Sequence, residues 1–215
     1  MHDWGGCGAQ LASLAHPLVK AGYQVITFDA LGHGDSSGKQ TDLSEIVDII
    51  KDIATEFNGF YAIIAYSYGA LPAGIALQNE VKANKFVVCA APTGLDFYLR
   101  KFFKKLNASN EMRGRIEVNV TNRLGMSIEK LSLVHIGLHL NRPILILHDL
   151  NDKVVDHREA LSLSRCWLGS ELVMTSGLGH FGILKDSRTI QKIQQYIGVD
   201  QLWLDLQLTE PSFHE

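Results

Sequence analysis

Five short apolar runs punctuate the chain, and each is followed by a stretch with helical character. The runs are Val25-Ile26-Thr27-Phe28, Tyr61 to Ala65, Phe86-Val87-Val88-Cys89-Ala90, Ile144-Leu145-Ile146-Leu147 and Glu171-Leu172-Val173-Met174-Thr175. Runs that are apolar throughout, rather than alternating with polar residues, suit strands buried on both faces. Strands that alternate with helices call for an α/β fold: a mostly parallel sheet covered by helices on both faces. In such a sheet chemistry gathers in the loops at the C-terminal ends of the strands.

The helical stretches carry their own signals. Leu11, Leu14, Ala15, Leu18 and Val19 recur at helical spacing, and Gly22 stops them. Thr41 or Asp42 can cap a helix that buries Leu43, Ile46, Ile49, Ile50, Ile53 and Phe57. Residues 95–140 break the alternation, and their segments predict a mostly helical insertion. In Leu95 to Leu106 the apolar Leu99, Phe102, Phe103 and Leu106 interleave with Arg100, Lys101, Lys104 and Lys105, as in an amphipathic helix with one solvated face. The unit closes with a helix near residues 187–197, and residues 201–215 read as a loosely held tail. One domain over residues 1–200 accommodates the 215 residues.

Composition narrows the function. With 46% hydrophobic and 20% charged residues and a net charge of −3, nothing favours nucleic acid or an anionic membrane. No apolar stretch is long enough to span a bilayer. The three cysteines, Cys7, Cys89 and Cys166, form no CxxC pair and read as reduced structural thiols of a cytoplasmic protein.

The most informative turn follows the second run. Ala65-Tyr66-Ser67-Tyr68-Gly69 is a small-x-Ser-x-Gly sequence between a strand and the small, apolar helix Ala70 to Leu77. A sharp strand-to-helix turn admits only small side chains beside the serine, holds Ser67 in a strained conformation with its hydroxyl presented, and aims the N–H of Tyr68 above it. Alone, the motif also fits an ordinary connection with an exposed serine. Two later loops add to it. The loop after His148 contains Asp152, and Gly177-Leu178-Gly179-His180 follows the last run. An activated serine needs a base, and the base needs an acid that fixes its tautomer. Ser67, Asp152 and His180 supply that set.

Taken together, these pieces resemble a single-domain, lidded bacterial α/β-hydrolase. The matching motifs are the oxyanion loop His2 to Gly6, the turn Asp29-x-x-Gly32-x-Gly34-x-Ser36, the serine elbow, the acid loop and the Gly-x-Gly-His loop. The resemblance implies that Ser67 is the nucleophile, His180 the general base and acid, and Asp152 the orienting acid. It implies an oxyanion hole from the backbone N–H groups of Tyr68 and Trp4, a lid over about 95–140, and no cofactor or metal. Asp149 and Asp156 are rival acids; Asp152 holds the family's acid place, and Asp149 is expected to shape the loop.

Two departures stand out. Asp3 occupies a place where the family has glycine, so its side chain is expected to crowd the hole. A family strand leads into His2 and lies between Val25–Phe28 and Tyr61–Ala65, and two further edge strands precede it. Met1 stands in place of that interior strand. The expectation is therefore a chain lacking its N-terminal strands, truncated or wrongly started rather than a genuinely short variant, whose sheet must either close the gap or leave buried backbone groups unpaired at about 1–3 kcal/mol each.

Other patterns have plainer readings. His135-x-x-x-His139 has the spacing of a zinc pair, but Ile136 stands where a zinc protease needs glutamate. Gly32-x-Gly34 lacks the third glycine of a dinucleotide loop, because Ser37 takes that place. The resulting expectation is a serine hydrolase acting on a carboxylic ester or thioester of a small to medium apolar substrate. Carbon–carbon cleavage, acyl transfer and perhydrolysis share the same triad. The alternative is a catalytically impaired binding protein of the same fold, or an inactive fragment.

Overall fold

The computed structural model describes residues 1–198; the tail expected at 201–215 lies outside the described residues. Four strands form one parallel sheet in the order β1-β2-β3-β4: β1 (Phe60–Tyr66), β2 (Ala83–Cys89), β3 (Ile144–Asp149) and β4 (Ser170–Thr175). Their register places Ala65 beside Val88, Val88 beside Ile146, and Ile146 beside Leu172.

The period of two within each strand divides the core into two layers. Ile63, Ala65, Phe86, Val88, Ile144 and Ile146 face one layer. There they meet helices α2 (Leu43–Glu56), α3 (Ala70–Gln78) and α7 (Arg158–Cys166). Tyr66, Val87, Cys89, Leu145 and Leu147 face the other, which holds α1 (Ala12–Lys20) and α9 (Ser187–Ile197). Both faces are thus covered, which is why the strands read as continuous apolar runs. Asp42 starts α2 with a complete capping box to Glu45. Cys89 is fully buried, and burial pushes its thiol up to about 12, as befits an inert packing residue.

Between β2 and β3 lie three helices: α4 (Leu95–Leu106), α5 (Asn110–Leu124) and α6 (Leu133–His139). They differ in role. On α4, Phe97 and Phe103 are buried while Arg100, Lys101, Lys104 and Lys105 stay at the surface. No residue of α5 is buried. By contrast, Leu133 and Ile136 of α6 are wholly buried, and Leu133 packs against Gly74 of α3, where an added Cβ would come within 2.6 Å of it. The last helix of the expected insertion therefore belongs to the main core.

Val25–Phe28 departs from expectation. It forms no strand. An apolar cavity of about 290 Å³ separates it from β1, lined by Val25, Phe28, Leu14, Leu18, Ile50 and Ile63 among others. An extended run without a ladder partner cannot register as sheet, however high its β propensity. At one end of this gap Met1 pairs with β1 in its place: its backbone nitrogen donates to the Ile64 carbonyl at 2.9 Å, and Tyr66 N–H donates to the Met1 carbonyl at 3.0 Å.

Candidate active site

At the C-terminal end of β1 the backbone turns sharply. Ser67 has φ +50°, a left-handed conformation that costs a non-glycine residue about 1–2 kcal/mol and is held here by its surroundings. Residues Ser67–Gly69 form a single 3₁₀ turn that runs into α3. Gly69 is required sterically: a Cβ there would lie 2.5 Å from the His2 carbonyl oxygen. Ala65 is completely buried against the same turn. Ser67 itself is 2% exposed.

His180 arrives from the loop after β4, on the short helix α8 (Gly179–Gly182). Its Nδ1 lies 2.7 Å from Oδ2 of Asp152. The other oxygen of Asp152 accepts the N–H groups of Val154 at 2.7 Å and Val155 at 2.9 Å, which fixes the carboxylate. Burial works against ionisation of Asp152, but the hydrogen bonds from His180, Val155 and Val154 outweigh it and hold its carboxyl below the usual range. Beneath the pair lies His148, fully buried, with Nε2 donating to the Val155 carbonyl at 3.0 Å and standing 3.5 Å from Asp152. Its burial lowers its basicity and keeps it neutral. Tyr66 donates its hydroxyl to the His180 carbonyl at 3.0 Å and lays its ring against the imidazole.

Asp149 shapes the loops. Its Oδ1 accepts from Asn151 N–H and Gly179 N–H, and its Oδ2 from Thr175 Oγ1 and Leu178 N–H, all at 2.7–3.1 Å. The side chain thus ties the acid loop to the histidine loop. Asp156 turns away and pairs with Arg158 at the surface.

Asp3 fills the space above Ser67. Its Oδ1 accepts the N–H of Trp4 at 2.7 Å and of Tyr68 at 3.1 Å. Its Oδ2 stands 3.8 Å from His180 Nε2, an atom buried without a hydrogen-bond partner. The hydroxyl of Ser67 lies beside the same carboxylate. Burial opposes the charge on Asp3, but the nearby His180 imidazole, the Tyr68 and Trp4 N–H groups and the Ser67 hydroxyl prevail and hold its carboxyl low. For His180, burial would lower the pKa; the Asp152 and Asp3 carboxylates overcome that and raise it to about 9. The imidazole is therefore a cation at neutral pH.

All five residues singled out in the sequence, Ser67, Tyr68, Trp4, Asp152 and His180, thus meet in one place. Ser67 and His180 do not hydrogen-bond to each other, because the Asp3 carboxylate stands at the imidazole's free nitrogen. Tyr98 of α4 also joins the site. Its ring meets that of Tyr68 edge-on at 5.1 Å, and its buried hydroxyl, without a hydrogen-bond partner, lies beside Ser67. Nothing in the amphipathic pattern of α4 distinguished it. Among the described residues no cluster of His, Cys, Asp and Glu could hold a metal ion.

The fold and the elbow define an α/β-hydrolase, and the family comparison agrees. A profile described as alpha/beta hydrolase family matches residues 1–165, and the chain belongs to that family. Solved structures share the fold at low identity. The monoacylglycerol lipase of Paleococcus ferrophilus is 19% identical, covering 90% of each chain with a TM-score of 0.68. The esterase EaEST of Exiguobacterium antarcticum is 18% identical over 92% of this chain and 90% of its own, with a TM-score of 0.70. A bromoperoxidase of Bacillus anthracis is 17% identical over 95% and 90%, with a TM-score of 0.68. No curated protein gives a significant match. No described helix is long and apolar enough to cross a membrane.

Proposed function

We propose that the protein is a serine hydrolase that cleaves a carboxylic ester or thioester through an acyl-enzyme on Ser67. The observation that carries the reading is the 2.7 Å pair between His180 Nδ1 and Asp152, set beside a serine held at φ +50° on a strand-to-helix elbow. Neutral His180 takes the Ser67 proton on Nε2 as Oγ attacks the carbonyl carbon. The N–H groups of Tyr68 and Trp4 receive the oxyanion. Collapse expels the alcohol or thiol, which leaves with the proton from Nε2. Water then attacks the acyl carbon and gives its proton to Nε2, and Ser67 departs with that proton as the free acid forms. General base action contributes about 10²–10⁴ in rate, and each hole donor about 3–4 kcal/mol.

The run of edge-on aromatic contacts from Trp4 through Tyr68 to Tyr98, whose hydroxyl lies beside Ser67, favours a small to medium apolar acyl group. The esterase and lipase named among the similar structures fit an ester substrate. The reaction requires no cofactor and no metal. A panel of p-nitrophenyl esters of rising acyl length, with a matching thioester, tests the proposal: turnover by the wild type and none by Ser67→Ala supports it. Equal turnover by both proteins overturns it.

A second reading has one specific observation behind it. The Asp3 carboxylate occupies both hole donors, as suits a catalytically impaired protein that binds a small molecule in the same pocket. Absence of turnover by both the wild type and Asp3→Gly would favour that reading.

A further inference from the structure

Asp3 does more than crowd the hole. In the serine-hydrolase reading its two oxygens take the places that the oxygens of an acid product would need. Oδ1 takes both backbone N–H donors, and Oδ2 faces Nε2 of His180 at 3.8 Å. The carboxylate thus stands in for a ligand carboxylate that happens to be tethered. The tether is short and fixed. Asp3 N–H reaches the Gln10 side-chain oxygen at 3.4 Å, Gly6 N–H donates to the Asp3 carbonyl at 3.0 Å, and the neighbouring His2 ring accepts from Ala30 N–H at 3.0 Å.

We infer that Asp3 is a specificity-determining residue: its carboxylate acts as an internal product analogue that keeps small carboxylate anions out of the hole and must leave before a neutral acyl group can bind. The inference rests on the serine-hydrolase reading, since it concerns the same site. A free carboxylate arriving at the occupied hole meets a like charge within a few ångströms and finds both donors taken. A neutral ester carries no such repulsion and needs only that the Asp3 side chain rotate outward. Asp3 thereby biases the site toward neutral substrates and against inhibition by the acid it releases.

The groups that face this carboxylate are few. His180 comes from α8, Ser67 and the Tyr68 N–H from the elbow, Tyr66 from β1 and Tyr98 from α4. Burial keeps both phenols neutral, so His180 is the titrating partner. His180 in turn faces Asp152 and Asp3, with His148 behind them held neutral by burial.

Two variants separate charge from occupancy. Asp3→Gly empties the hole and removes the charge. Asp3→Asn removes the charge while its amide oxygen can still accept both N–H groups. The His180 ring is followed by NMR through pH and acetate titrations, and Ser67 is followed by its rate of fluorophosphonate labelling. Expected is a lower His180 pKa in both variants, acetate-induced shifts of the His180 ring only in Asp3→Gly, and labelling of Asp3→Gly about 10²-fold faster than the wild type. Acetate binding to the wild type as tight as to Asp3→Gly would overturn the inference. So would an unchanged His180 pKa in Asp3→Asn. The ring titrations do not depend on catalysis. Failure of the hydrolase reading, seen as labelling that survives Ser67→Ala, is therefore distinguishable from failure of this one.

Discussion

Oδ2 of Asp152 accepts from His180 Nδ1 at 2.7 Å while Oδ1 of the same carboxylate accepts two backbone N–H groups from its own loop. This division of labour makes the pair rigid. The loop holds Asp152, Asp152 holds His180, and Nε2 of the imidazole is left facing the Asp3 carboxylate. Asp152→Asn would offer His180 an amide in place of a charge and let the wrong tautomer form. Loss of about 10⁴-fold in ester turnover is expected, with the fold retained. Steady-state kinetics together with circular dichroism checks both halves.

The pH profile follows from the two carboxylates around His180. Its pKa is raised to about 9, so the imidazole is charged at neutrality and idle in the role of base proposed for it. The kcat/KM for esters, which reports the free enzyme with Asp3 in place, is expected to rise with pH and reach half its maximum near 9. Stability moves the other way. A group whose pKa is raised on folding stabilises the native state fully below its unfolded value of 6.5, and that contribution is lost as pH rises through about 9. Denaturant midpoints measured across this window should fall while activity climbs. A profile centred near 6.5 would show that Asp3 and Asp152 do not act on the imidazole as the geometry requires.

Asp149 offers a structural prediction at a residue that touches no reacting atom. Asp149→Ala removes the acceptor for Asn151, Gly179, Leu178 and Thr175. Buried donors left without a partner cost about 1–3 kcal/mol each, partly recovered where water enters. A net loss of about 3 kcal/mol by urea unfolding is expected. Turnover should fall as well, because Gly179 adjoins His180. A variant as stable as the wild type would contradict the role assigned to this carboxylate.

The elbow is tested at Gly69. The Cβ of Gly69→Ala would sit 2.5 Å from the His2 carbonyl oxygen and 2.9 Å from that of Met1. Both atoms belong to backbone and cannot rotate aside. The variant should lose about 1–3 kcal/mol of stability. It should also lose fluorophosphonate reactivity, since relief requires moving the loop that carries Trp4.

Much of this arrangement was legible in the sequence, for reasons that can be named. Runs such as Ile144 to Leu147 are apolar throughout because both faces of the sheet are covered. The elbow betrayed itself because crowding excludes all but small residues at Ala65 and Gly69. The Gly-x-Gly-His spacing marked a histidine on a loop free to reach across the sheet. Where prediction missed, the missing information was non-local. Val25–Phe28 has the residues of a strand, but strand formation depends on a neighbour, and a cavity lies where that neighbour would pair. Leu133 and Ile136 lie within a stretch that reads as insertion, and only packing against Gly74 shows that they belong to the core. Asp3 could be flagged as an intruder, yet its position on both hole donors is a matter of distances no pattern encodes. Tyr98 was one aromatic among several on α4.

The most direct measurement is the site and pH dependence of covalent labelling by a fluorophosphonate probe, read by mass spectrometry of the digested protein. A single adduct on the peptide containing Ser67, faster as pH passes about 9 and absent from Ser67→Ala, is the predicted result. Labelling that persists in Ser67→Ala, or no adduct on Ser67 even at a pH where His180 is neutral, would contradict the account.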